Sequence, residues 1–308
     1  MVDAYDEFAQ LADNAAEVGL PWNGPPSVSR RVVELFDGRR MSALVWGEGG
    51  AEVVLLHGGS QNAHTWDTVA LALGRPLAAV DLPGHGHSGW RPDHDYTVDN
   101  MADDVAAVIR RLAPKLRLVV GMSLGGLTAL ALSERYPDLV PRLLLVDVTP
   151  GVNAEKSKAI TDFVRGPERF ADFDEILERT IQHHPGRSES SLRRGVRHNA
   201  MPDPDGGWTW RWDPHRPAGE ADPAATFRGL WDAVDSLRAP LLLVRASASA
   251  VVDDDDEAEV RHRKPDARIE VVEGAGHSIQ GDRPLELASL IAAELRAADP
   301  DAGPPAGH

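Results

Sequence analysis

Gly121-Met122-Ser123-Leu124-Gly125-Gly126 stands between an apolar run ending at Met122 and a stretch of helical periodicity from Leu124 to Arg135. A G-x-S-x-G strand-to-helix turn requires that context: the turn is so tight that small residues must flank the serine, and it lifts the hydroxyl into the open. The helix start behind the serine favours developing negative charge. A plainer reading is a glycine-rich turn in which Ser123 caps the helix, and the short motif alone does not separate the two. The surrounding pattern adds more. Apolar runs at 51–56 (AEVVLL), 76–82 (PLAAVDL), 116–122 (LRLVVGM) and 142–148 (RLLLVDV) alternate with helical stretches near 64–73, 99–112 and 124–135. Strands apolar on both faces, separated by helices, predict an α/β fold with a mostly parallel sheet covered on both sides.

Further out, VVELF (32–36), the pair Asp37-Gly38, and MSALVW (41–46) form a hairpin signal, so the sheet begins antiparallel. Residues 1–29 read as an acidic, partly helical appendage ending in PWNGPP, and the core opens at residue 30. The alternation stops at Pro150-Gly151 and resumes at Pro240. The core is therefore 30–150 and 240–298, with 151–239 inserted. That insertion carries helical stretches near 156–164 and 173–183 and three tryptophans, Trp208, Trp210 and Trp212. LLLVRA (241–246), a helix from about Asp254, RIEVVE (268–273) and a closing helix near 283–296 complete the core. The Pro/Gly-rich residues 299–308 predict a disordered tail.

Of 308 residues, 32 are Lys or Arg and 48 are Asp or Glu, giving a formal charge of −16. Such a balance argues against nucleic acid or an anionic membrane as partner, because both require a basic face. The complete lack of cysteine excludes disulfides, thiolate metal sites and a cysteine nucleophile. No run approaches the roughly 18 apolar residues of a membrane span, and the opening residues lack a signal-peptide pattern. A cytoplasmic location is the expectation. The expected partner is a small-molecule substrate, and a homodimer is left open.

A serine hydroxyl needs a base, usually a histidine whose other ring nitrogen is held by a carboxylate. His277, in Gly274-Ala275-Gly276-His277 after the last strand, is placed for that role; the bland alternative is an exposed loop histidine. Upstream, the run AEVVLL ends in His57-Gly58-Gly59. The backbone N–H groups of Gly59 and Leu124 would supply two oxyanion donors from separate loops, with His57 bracing the loop.

With these residues in view, the chain resembles the α/β-hydrolase superfamily over roughly residues 30–298. The landmarks are HGGSQNAHTWD (57–67), DLPGHGHS (81–88), GMSLGG (121–126), LLLVDVTPG (143–151) and GAGHS (274–278), in that order. The resemblance implies an eight-stranded, mostly parallel sheet with a helical cap after strand six. It also implies Ser123 as nucleophile, His277 as general base, and chemistry without a cofactor. Serine at the elbow argues against epoxide hydrolases and haloalkane dehalogenases, which carry aspartate there.

The acid departs from the usual pattern. Superfamily members most often place it after strand seven, but Ser249 occupies that slot here. Either the run Asp253 to Asp256 shifts in, or the acid follows strand six, where Asp147 stands. Asp147 is preferred, since Asp253 to Asp256 read as the start of the next helix. The plainer reading of Asp147 is a structural carboxylate tying down the entrance to the cap.

His85 and His87 form an H-x-H pair, but their D-x-P-G-H-G-x-S setting resembles an ordinary loop of the superfamily, and no metal site is expected. Trp208 and Trp210, with Trp212, would face one way along an extended segment. They would line a substrate cavity or pack the insertion. Arg193, Arg194 and Arg197 with His198 would meet a substrate carboxylate or form a solvated helix face. The leading expectation is a serine hydrolase acting on an ester, thioester or lactone. Alternatives are carbon-carbon bond hydrolysis of diketo-type compounds, with Arg193 holding a carboxylate, and a non-catalytic ligand-binding protein on the same fold.

Overall fold

The computed structural model describes residues 5–184, 186–214 and 226–298. Its apolar runs become β1 (Val28–Glu34), β2 (Arg40–Trp46), β3 (Val53–Leu56), β4 (Leu77–Asp81), β5 (Leu118–Met122) and β6 (Leu143–Val146). Within the insertion come β7 (Arg169–Phe170), β8 (Ala200–Pro202) and β9 (Trp208–Trp210), and the core resumes with β10 (Leu241–Ala246) and β11 (Arg268–Val272). One eight-stranded sheet has the order β1-β2-β4-β3-β5-β6-β10-β11; β7-β9-β8 make a small separate sheet. The β1–β2 and β2–β4 pairs are antiparallel, and all later pairs of the large sheet are parallel. The Asp37-Gly38 hairpin forms as read, with Gly38 at φ +82.

The helices are α1 (Leu11–Glu17), α2 (Asp67–Leu73), α3 (Val98–Leu112), α4 (Leu124–Arg135), α5 (Lys158–Val164), α6 (Phe173–His183), α7 (Glu189–Asn199), α8 (Leu230–Ser236), α9 (Asp254–Arg263), α10 (Ile279–Asp282) and α11 (Pro284–Ala297). Period-two alternation within β3 divides the core between two faces. Val54 and Leu56 face the layer of α3, α4 and α8, while Val53 and Leu55 face that of α1, α2 and α11. All four are fully buried, each worth about 1.5–3 kcal/mol of transfer free energy.

Two boundaries differ from the sequence reading. Helix α8, counted with the insertion, packs by Leu230, Trp231, Ala233 and Val234 into the main core, so by packing the insertion ends before residue 230. The N-terminal appendage is docked rather than trailing: Leu11 and Ala15 are buried, and Leu11 joins the α2 face. The expected tail at 299–308 lies outside the described residues. No helix among the described residues is long and apolar enough to cross a membrane.

The topology also decides where a ligand would sit. β3 and β5 are neighbours, yet the helices following them, α2 and α4, pack on opposite faces. Loops leaving the carboxyl ends of such a strand pair part from one another and leave a crevice. His57-Gly58-Gly59 and Ser123 are the residues at its two lips.

Candidate active site

Ser123 lies between the last residue of β5 and the first of α4 with φ +49 and ψ −119, a backbone conformation costing about 1–3 kcal/mol for a side chain. The three glycines make that turn feasible. A Cβ on Gly121 would stand 2.4 Å from Gly125 O, one on Gly125 2.3 Å from Leu56 O, and one on Gly126 2.5 Å from Val148 Cγ1. The amides of Gly126 and Leu127 donate to Ser123 O at 2.8 and 3.1 Å, closing the first turn of α4. Ser123 itself is partly exposed.

Asp147 follows β6 and is also a non-glycine residue at positive φ, +50. Its amide donates to Val244 O at 2.8 Å, and its fully buried carboxylate accepts from Ala246 N at 2.9 Å through Oδ1. The other oxygen, Oδ2, is 2.8 Å from Nδ1 of His277. A carboxylate can only accept, so Nδ1 carries the proton and Nε2 keeps a free lone pair. Nε2 has no hydrogen-bond partner among the described residues. The His277 loop is pinned at the three residues before the histidine. Gly274 N donates to Ser247 Oγ at 2.8 Å, Ala248 N to Ala275 O at 2.9 Å, and Gly276 N to Asp282 Oδ2 at 2.9 Å.

The rival acids are engaged elsewhere. Asp253 is the N-cap of α9 in a reciprocal box with Asp256, and Lys156 pairs with both at 2.8 and 2.6 Å. Ser249 Oγ accepts from Val251 N at 3.1 Å.

Gly59 lies against Leu124: a Cβ on Gly59 would be 3.9 Å from Leu124 Cδ2. Neither amide has a hydrogen-bond acceptor among the described residues. His57 holds the first lip, with Nδ1 donating to Gly58 O at 2.7 Å and Nε2 accepting from Leu82 N at 2.9 Å. Burial drives its pKa down to about 3, keeping it neutral. His85 bridges Pro83 O at 3.0 Å and Ser60 N at 3.2 Å, while burial takes His87 to about 4.

The insertion reaches the lip through a residue the sequence reading missed. Asn199, the last residue of α7, donates from Nδ2 to Ser60 O at 2.5 Å, and its Oδ1 accepts from Asn62 at 3.2 Å. Ser60, next to Gly59, is at φ +57. No local sequence signal announces a contact across 139 residues.

The candidates for substrate contact, Trp208, Trp210, Trp212 and Arg193, sit inside the insertion. Trp210 and Trp212 are buried in its own core with Phe170, Ile176 and Leu192, and Trp208 packs edge-on against Phe173 at 5.3 Å. Arg193 is exposed, paired with Glu189 at 3.1 Å and Asp174 at 3.6 Å. Their engagement there gives a substrate contact no geometric support. Arg194 instead reaches back to Asn14 at 2.7 Å and to Glu17.

A second polar cluster joins the appendage, the core and the insertion. His64 Nδ1 contacts Asp67 at 2.9 Å, its Nε2 contacts Glu7 at 3.3 Å, and its ring stacks on His198 at 3.8 Å. Arg30 links Glu7 to Asp81, each at 2.6 Å. His64, Asp67 and His198 bring donor atoms within 4.8 Å of one another. The two rings lie 11° from parallel, so their lone pairs run side by side instead of converging, and the arrangement is that of an ion-paired latch. A groove of about 530 Å³ between the β1–β2 hairpin and α3, lined by Val33, Phe36 and Arg110, contains none of the site residues.

Residues 52–284 match the model of the alpha/beta hydrolase fold family. The esterase Rv0045c of Mycobacterium tuberculosis is 46% identical over 93% of this chain and 94% of its own length. Its crystal structure superposes with a TM-score of 0.82, covering 96% of this chain and 99% of that one. The 2-(acetamidomethylene)succinate hydrolase of Mesorhizobium japonicum is 31% identical over 82% of this chain and 89% of its length.

Proposed function

The chain belongs to the alpha/beta hydrolase fold family, and on that premise we propose that it is a serine hydrolase of carboxylic esters of small molecules. The observation that carries the reading is the 2.8 Å contact between Asp147 and Nδ1 of His277, which leaves Nε2, on the loop after β11, without a partner among the described residues and free to act as a base. The esterase relative supports ester chemistry.

In this mechanism Ser123 Oγ attacks the ester carbonyl while His277 Nε2 takes its proton. Asp147 fixes the tautomer and stabilises the imidazolium that forms. The negative charge developing on the carbonyl oxygen is received by the N–H groups of Gly59 and Leu124, which are held in place before the reaction. Collapse expels the alcohol, protonated by His277, and leaves an acyl-Ser123. Water activated by the same histidine then attacks the acyl carbonyl and releases the acid. The insertion acts as a cap whose helix α7 steadies the Ser60 loop through Asn199. A chain without cysteine needs no oxidising compartment, which agrees with a cytoplasmic site of action.

Turnover of p-nitrophenyl acetate, butyrate and octanoate by the parent and by Ser123→Ala tests the reading. Hydrolysis by the parent with background rates in the variant is expected. Parent-like turnover by the variant would overturn it.

A further inference from the structure

A cation of the insertion that the mechanism above does not use lies near the His277 loop. Arg187 lies in the turn between α6 and α7. Its guanidinium rests on the backbone of α10, with Cζ 2.9 Å from where a Cβ on Gly281 would stand. α10 begins two residues after His277, so glycine at 281 lets a cap arginine come down onto the loop that carries the candidate base.

The pairing of Arg187 is incomplete. A guanidinium offers several N–H donors, and Nη2 to Ser191 Oγ at 2.8 Å is the hydrogen bond it makes among the described residues. Nε is buried with no acceptor. The carboxylate of Asp282 comes no nearer than 3.9 Å, from Oδ1 to Nε, and its other oxygen, Oδ2, holds the Gly276 amide. Burial pulls the Arg187 pKa down, with Asp282 acting against it. Leaving a half-buried cation short of acceptors is costly unless a partner arrives.

Its surroundings suit an organic anion. His184 lies beside it, held neutral by burial and by the Arg187 charge at a pKa of about 4, and close enough to feel the charge of His277 as well. The ring of Phe163 packs edge-on against His184 at 5.8 Å. Apart from Asp282, the groups named around this cation are neutral and aromatic, and near the reacting histidine they fit a short aliphatic chain ending in a carboxylate.

Resting on the serine-hydrolase reading, we propose that Arg187 is an anion subsite of this active site, taking the free carboxylate of a substrate that is an ester bearing a second, ionised carboxyl group. The sequence reading looked for such a residue at Arg193; the incompletely paired arginine is Arg187.

The test compares matched charged and neutral esters. Monomethyl glutarate against methyl 5-methylhexanoate places the carboxylate on the acyl side; 3-(butanoyloxy)propanoate against isopentyl butanoate places it on the alcohol side. For the parent, the charged member of one pair is expected to have the higher kcat/KM. In Arg187→Met that charged-to-neutral ratio should fall about 10- to 100-fold, the value of one charge-assisted hydrogen bond, mainly through KM. Arg187→Lys should recover part of it. A parent without preference in either pair, or a variant that slows both members alike, would overturn the subsite. Calorimetric titration with glutarate gives an answer independent of turnover: binding to the parent at least tenfold tighter than to Arg187→Met supports the subsite, and equal binding overturns it. If none of the four esters is hydrolysed while glutarate still binds through Arg187, the ester reading fails and the anion site stands.

Discussion

Asp147 and His277 are 130 positions apart in the chain, yet Oδ2 of one accepts Nδ1–H of the other at 2.8 Å. The contact is made because β6 and β11 both flank β10. Asp147 leaves β6 at positive φ and turns its carboxylate back over the end of β10, where Ala246 N takes one oxygen and His277 the other. A carboxylate after β6 thus reaches the loop after β11 across one intervening strand.

That relationship separates Asp147 from its rivals. Asp147→Asn keeps a side chain that tolerates positive φ but loses the anion, and kcat should fall on the order of 10⁴-fold, as when a triad carboxylate becomes an amide. Asp253→Asn should leave kcat unchanged and cost up to about 1 kcal/mol through the α9 cap. Steady-state kinetics and thermal melts of both variants check the pair; the reverse pattern would transfer the acid role to Asp253.

The glycine steric argument predicts a folding defect at the elbow. Gly125→Ala would drive a methyl group to within 2.3 Å of Leu56 O and 2.6 Å of His57 O, both backbone atoms. The expected loss is about 3 kcal/mol or more, read as a depressed Tm or insoluble expression. A variant with the parent Tm would show that the strand-to-helix packing is looser than described.

Much of this site was legible in the sequence because its causes are local. The Gly121–Gly126 turn announces itself through backbone sterics, and the switch from apolar runs to helical periodicity marks where it sits. Asp147 emerged only because Ser249 left the usual slot empty. Asn199 and Arg187 were not legible, since each acts through a contact with a loop far away in sequence, and nothing in its own neighbourhood distinguishes it. The period-two tryptophans are a different case. Their spacing correctly indicates an extended segment, but periodicity does not say which core they fill, and Trp210 and Trp212 fill the insertion's own. The end of the insertion was misplaced for a similar reason: α8 packs on α4, and its affinity for that face is tertiary.

Asn199 leads to a kinetic prediction. Asn199→Ala removes the donor that holds Ser60 O, next to the Gly59 donor. We expect kcat to fall about 10-fold, less than the loss of a direct oxyanion donor, with KM little changed. A rise in KM at constant kcat would assign Asn199 to substrate binding instead.

The latch at His64 predicts how stability responds to pH. Burial alone would lower the His64 pKa, but the Asp67 charge and the hydrogen bonds that the ring donates to Asp67 and Glu7 outweigh it and raise the value from 6.5 to about 9. A raised folded-state value means stability fully present below pH 6.5 and lost as pH rises through 9, on the order of 3 kcal/mol if undivided. Tm should therefore decline between pH 7 and 10 in the parent, and His64→Gln should flatten that decline. An equal slope in both proteins would place the titration elsewhere.

The central claim, that Ser123 is a nucleophile activated by His277 and Asp147, is tested most directly by fluorophosphonate labelling read by intact mass. The account predicts one adduct per chain in the parent, located on Ser123, absent in Ser123→Ala and slow to form in Asp147→Asn. Labelling that persists in Ser123→Ala, or that proceeds at the parent rate in Asp147→Asn, would contradict it.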